Sequence, residues 1–196
     1  MKTNRRCFLG GLLCGGAGGG VLGWFSAAAR SHSWARSTPP AELPHPYSQL
    51  DHSVFMRQAI TEARQIPARP FGAVIVDAGT AAVVARGHNR TDETPTFHGE
   101  IDAINHLAKS QFDRAGRSLA LYTTAEPCPM CQAAIGWAGL GLVVYGASIP
   151  FLRDLGWWQI DVRAEELARR TPFRNIKVVG GVLEEECNAL FPPMRR

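Results

Sequence analysis

The sequence predicts an α/β protein in three layers, a five-stranded mixed sheet with helices on both faces. Three observations lead there. Two short apolar runs meet at Asp77-Ala78-Gly79-Thr80 in "PFGAVIVDAGTAAVVARGHN", the pattern of a β-hairpin. Helical and strand-like patterns then alternate to the end of the chain, which implies a sheet continued by crossover connections. The composition, 45% apolar and 19% charged, is that of an ordinary globular domain, and no internal repeat interrupts it.

The elements follow in order. "SQLDHSVFMRQAITEARQ" (Ser48 to Gln65) sets Phe55, Ala59, Ile60 and Ala63 at helical spacing, so it reads as a helix with one buried face. The two hairpin strands come next. "TFHGEIDAINHLAKSQ" carries Ile101, Ile104, Leu107 and Ala108 on one helical face. "RSLALYTTAE" reads as the third strand, "CPMCQAAIGWAGL" as a short helix and "GLVVYGAS" as the fourth strand. A helix through "RAEELARR", a strand at "NIKVVGGVL" and a last helix in "EEECNALF" complete the pattern. Together they place one domain over residues 47–196, behind a Pro- and Ser-rich linker over 31–46.

Residues 1–30 have a different character. Lys2, Arg5 and Arg6 precede a stretch without charge that lasts until Arg30 and ends in "SAAA", the plan of an export signal. The pair Arg5-Arg6 followed by Phe8-Leu9 resembles a twin-arginine signal, and eight glycines between Gly10 and Gly23 keep the stretch only mildly apolar. The expectation is an exported, periplasmic or extracytoplasmic protein carried by the twin-arginine machinery. The alternative is a membrane anchor through residues 7–29, since 23 uncharged residues suffice to span a bilayer. These four cations account for the whole formal charge of +4. The remainder is neutral and shows no basic run, so a nucleic-acid partner is not expected.

Beyond the signal only Cys128, Cys131 and Cys187 remain, too few for a disulfide framework. Cys128 and Cys131 are three apart, which puts both sulfurs on one face of a helix. Pro127 and Pro129 mark its first turn, where free N–H groups and the positive dipole end stabilise thiolates. Zn²⁺ takes cysteine sulfur and histidine nitrogen in tetrahedral geometry. With His98 at the start of the preceding helix, two sulfurs and an imidazole make three ligands. A fourth position is then left for water, as in catalytic rather than structural zinc sites. Glu100, two residues after His98, is the carboxylate placed to move a proton from that water, whose pKa zinc lowers toward ~7. His88, His106 and Cys187 offer no second ligand pair for a closed site. A metal would also occupy the thiolates of an exported Cys-x-x-Cys pair that could otherwise close into a disulfide.

"H-x-E … P-C-x-x-C" is a general signature of zinc base deaminases. "PFGAVIVD", "GHN", "HGEIDAI", "LYTTAEPCPMCQAAIGWA" and "VVYGAS" resemble the cytidine and nucleobase deaminase superfamily, and within it the guanine deaminase and tRNA adenosine deaminase branch. The resemblance runs from about Phe55 to Ala147. It implies a cytidine-deaminase-like fold, zinc held by His98, Cys128 and Cys131, and Glu100 as the proton shuttle. It also implies Asn89 and Phe71 at the substrate ring, Gly99 as a backbone N–H donor, and Trp137 near the base. The implied activity is hydrolytic: hydroxide generated at zinc attacks the amine-bearing carbon of a small heterocycle, guanine first, and ammonia leaves. A homodimer is implied as well.

Two neighbours depart from the family's usual pattern. Gly99 stands where the family has alanine, which is expected to loosen the helix start. Phe97 replaces a small residue and is expected to narrow the pocket. Asp154, Trp157 and Trp158, after the fourth strand, are candidates for the pocket mouth, with packing between subunits as the alternative. Asn89 and Glu126 serve either the pocket or their local turns, and Trp137 either base contact or the core. Two other functions are open to the sequence: a thiol–disulfide oxidoreductase using "CPMC", which leaves His98 and Glu100 without a role, and a catalytically silent zinc-binding module.

Overall fold

The computed structural model describes residues 42–173 and 176–194. The signal expected over 1–30 and most of the linker expected over 31–46 lie outside them. A short 3-10 turn at Tyr47–Gln49 leads into α1 (His52–Ala63). Asp51 starts this helix: its carboxylate accepts the Ser53 and Val54 N–H groups at 3.0 and 3.2 Å, satisfying donors that a helix start leaves free. The expected hairpin follows as β1 (Gly72–Asp77) and β2 (Ala82–His88). Asp77 again explains the turn, accepting the Gly79 N–H at 3.1 Å and the Thr80 hydroxyl at 2.9 Å.

Then come α2 (Gly99–Lys109), β3 (Leu119–Ala125), α3 (Pro129–Trp137) and β4 (Leu142–Ala147). The chain closes with α4 (Ile149–Asp154), α5 (Ala164–Arg170), β5 (Lys177–Val179) and α6 (Glu184–Asn188). The sheet order is β2-β1-β3-β4-β5. β1 runs antiparallel to both β2 and β3, whereas β3, β4 and β5 are mutually parallel. β2 and β3 therefore point the same way on either side of β1. The C-terminal ends of both strands, and the N-terminal end of β1, share one edge of the sheet.

Alternation divides the core into two layers. Val74, Val76, Tyr122 and Val144 pack with Phe55, Met56 and Ile60 of α1 and with Cys187 of α6. Ala73, Ile75, Leu121 and Val143 pack with Ala103 and Leu107 of α2 and Ile135 of α3. The three-layer expectation thus holds. Two details differ from the sequence reading. α4 occupies part of a stretch read only as a pocket mouth, and β5 has three residues where a longer strand was expected.

Candidate functional site

α2 and α3 start from the shared sheet edge, and each start presents a metal donor. His98 and Cys128 are the N-cap residues of these helices, both with extended backbone, and neither spends its side chain on capping. Their side chains are free to converge. His98 Nδ1 lies 3.6 Å from the sulfurs of both Cys128 and Cys131, and the three donor atoms fall within 4.8 Å of one another. A nitrogen and a sulfur bound tetrahedrally to one Zn²⁺ are about 3.6 Å apart, given the usual bond lengths. Donor chemistry and spacing therefore both fit zinc. The Cys128 thiol is lowered to about 4, first by the hydrogen bond from Cys131 and also by His98, while Cys131 is pushed well up by donating that hydrogen bond and by burial.

Glu100 sits on the first turn of α2, 4% exposed. It accepts the Thr123 hydroxyl of β3 at 3.2 Å, and burial raises its pKa, as expected of a carboxylate deprived of water. Asp102, on the same turn, anchors the helix by accepting the His88 N–H at 3.2 Å and Arg90 at 3.3 Å. Asn89 is held too: its Oδ1 accepts the Thr91 N–H at 3.1 Å and hydroxyl at 2.8 Å. With the oxygen engaged, the amide NH₂ is the group left for a ligand.

A cavity of about 440 Å³ opens over these groups, lined among others by Phe71, Asn89, His98, Glu100, Cys128 and Trp157. Its aromatic wall is formed by Phe71 and Trp157, distant in sequence, with the buried Phe191 packed against both. The Phe71 ring meets Trp157 edge-on at 5.5 Å and Phe191 at 5.1 Å, and Trp157 meets Phe191 at 5.5 Å. The Trp157 indole N–H donates to the Pro192 carbonyl at 3.0 Å.

Several expected residues lie elsewhere. Trp137 ends α3, 79% exposed and packed edge-on against Phe173 at 4.7 Å, so it does not line the cavity of its own chain. Phe97 is half-buried outside the lining, its carbonyl accepting the Arg90 N–H at 2.8 Å, and does not narrow the pocket. Asp154 is an exposed residue at the end of α4. Trp158 lies at the mouth, almost wholly exposed. Gly99 is buried beneath β1 rather than lining the cavity. A Cβ there would meet the Phe71 carbonyl oxygen at 2.6 Å, closer than such atoms approach. Glycine at this position lets the strand entry lie against α2. Gly99→Ala is expected to cost about 1–2 kcal/mol, the strain of overpacking being partly offset by alanine's helix preference. It should also raise KM, because the Phe71 carbonyl accepts the Asn89 N–H at 2.9 Å. Thermal unfolding and steady-state kinetics check this; an unchanged or more stable variant would contradict it.

Glu126 turns out to be a structural hub. Its carboxylate accepts the Ile149 and Ala164 N–H groups at 2.9 Å each, and Arg163 Nε lies 2.8 Å from both oxygens. Ile149 and Ala164 are the first residues of α4 and α5, so one buried carboxylate ties two helix starts to the end of β3. Arg69, Thr91, Gln159 and Met194 also line the cavity. No motif marked them; the one available signal was that Arg69 and Thr91 stand two residues from Phe71 and Asn89.

Comparison with known proteins places these features in a wider group. Residues 49–147 match the cytidine and deoxycytidylate deaminase zinc-binding region. The chain is 37% identical over 139 residues to the guanine deaminase of Bacillus subtilis, covering 65% of this chain and 86% of that protein. It is 32% identical over 143 residues to the tRNA-specific adenosine deaminase of the same organism, covering 70% and 84%. Among solved structures, the guanine deaminase of Nitrosomonas europaea superposes with a TM-score of 0.61 at 25% identity, over 79% of this chain and 86% of that one.

Proposed function

Because the chain belongs to the cytidine and deoxycytidylate deaminase zinc-binding family, whose members similar to it are zinc-dependent hydrolases, we propose that it hydrolytically deaminates a nucleobase or nucleoside-like amino-heterocycle, guanine being the first candidate ring. The observation that carries this reading is the buried Glu100 carboxylate beside a His98–Cys128–Cys131 donor set, on the floor of a cavity sized for a small heterocycle.

His98, Cys128 and Cys131 would hold the zinc, which when bound makes water acidic enough to supply hydroxide near neutral pH. Everything else falls to the chain's own side chains. Glu100 takes a proton from the water and passes it to the ring nitrogen, then carries the second proton, from the hydroxyl added to the ring carbon, to the departing amine. A desolvated carboxylate with a raised pKa suits both directions of that transfer. Water adds to the ring carbon bearing the amine, the C–N bond breaks, and a carbonyl and ammonia result. Asn89 offers its amide NH₂ to an acceptor on the ring edge, since Thr91 occupies its oxygen. Phe71 and Trp157 supply the apolar wall for a flat ring.

The test is ammonia release by the zinc-loaded protein against guanine, adenine, cytosine and pterin. Turnover of at least one, abolished by a chelator and restored by zinc, is expected. Silence across the panel would contradict the reading.

A further inference from the structure

We propose that Arg69 recognises an anionic substituent, a carboxylate or a phosphate, on the heterocycle, so that the preferred substrate is an acidic derivative and not the bare ring. This rests on the deaminase reading above and specifies the substrate class of the same cavity.

Arg69 lines the cavity and is placed by a short turn: its N–H donates to the Ile66 carbonyl at 2.9 Å and its carbonyl accepts the Phe71 N–H at 2.7 Å. Its guanidinium makes one side-chain hydrogen bond, from Nη1 to the Thr91 hydroxyl oxygen at 2.9 Å. That hydroxyl in turn donates to Asn89 Oδ1 at 2.8 Å. The cation therefore stands two hydrogen bonds from the amide that faces the ring, with most of its five N–H donors unspent.

Its charge is also unspent. Arg90 pairs with Glu93 and Asp102, and Arg163 with Glu126, but among the described residues no carboxylate lies within ion-pair reach of Arg69. The two carboxylates that line the cavity do not compensate it. Glu100 is buried at the floor, and Glu126 is saturated by Arg163 and two backbone N–H groups. An exposed planar donor with no counter-charge, held by Thr91 at the edge of a cavity with room beyond a bicyclic ring, matches an oxyanion in geometry and sign.

The test compares matched neutral and anionic molecules: guanosine with guanosine 5′-monophosphate, and pterin with pterin-6-carboxylate. Deamination is measured as kcat/KM, and binding by quenching of tryptophan fluorescence, since Trp157 and Trp158 line the cavity. The wild type should favour the anionic member of at least one pair by about tenfold, the scale of a charge-assisted hydrogen bond. Which pair responds identifies phosphate or carboxylate. Arg69→Gln should lower the anionic member more than the neutral one and erase the preference, Arg69→Lys should keep part of it, and added salt should weaken it. No preference in either pair would overturn the proposal, as would an Arg69→Gln variant that lowers both members equally, which would assign Arg69 only to positioning Thr91 and Asn89. Anion-selective binding without ammonia release would remove the deaminase reading and leave the anion site standing.

Discussion

Replacing Glu100 by Gln lowers kcat by roughly 10²–10⁴-fold, the usual weight of a positioned general acid–base group, while zinc content stays unchanged. The amide keeps the shape of the carboxylate and can still accept the Thr123 hydroxyl, the side-chain contact that orients Glu100. What it loses is the capacity to take and return a proton. No metal donor is removed, because the three donors come from His98, Cys128 and Cys131. Kinetics and metal analysis on one preparation separate the possibilities. Retained activity would assign Glu100 to structure. A variant that lost its zinc would make Glu100 a support for the metal site. A protein with no turnover to lose would be a silent zinc module.

Replacing Glu126 by Ala destabilises the fold by about 3 kcal/mol, more than removing its partner. Two backbone N–H groups at the starts of α4 and α5 would lose their acceptor, and each buried donor left unmade costs about 1–3 kcal/mol. Arg163 has a side chain 43% exposed against 1% for Glu126, so it can rehydrate and adds little to the penalty. Arg163→Ala should therefore cost less than Glu126→Ala. At about 2–4 °C per kcal/mol for a domain of this size, the Glu126 variant should melt about 6–12 °C lower. KM should rise with it, because Trp157 follows α4 directly and forms the pocket wall. Equal melting shifts for the two variants would contradict this division of labour.

Local chemistry explains what was legible in the sequence. Helix and strand periodicity located the sheet and the helices on its two faces, since each element needs an apolar face to bury. The ligand triad and Glu100 were legible because cysteines three apart, and a glutamate two beyond a histidine, fall on single helix turns. Legibility failed where the cause is distant. α4 is a helix of only six residues, and the acceptor of its first N–H is Glu126, 23 residues upstream. Gly99 looked like a loosened helix start because the carbonyl that excludes a methyl group belongs to Phe71, in another element. The helix carrying Trp137 was predictable, but whether that ring met the pocket depended on how α3 sits against the rest of the chain. The pocket wall joins Phe71 and Trp157, both packed on the buried Phe191, and no periodicity links them.

The central claim is hydrolysis at the Glu100 and zinc-ligand site, and isotopic oxygen tests it most directly. The zinc-loaded protein is run in ¹⁸O-labelled water with whichever heterocycle releases ammonia, and the product is weighed by mass spectrometry. One labelled oxygen should enter at the carbon that lost the amine, for each ammonia released, and none should enter with the Glu100→Gln or chelated protein. Product without the label, or label incorporated equally well by the Glu100→Gln protein, would contradict it.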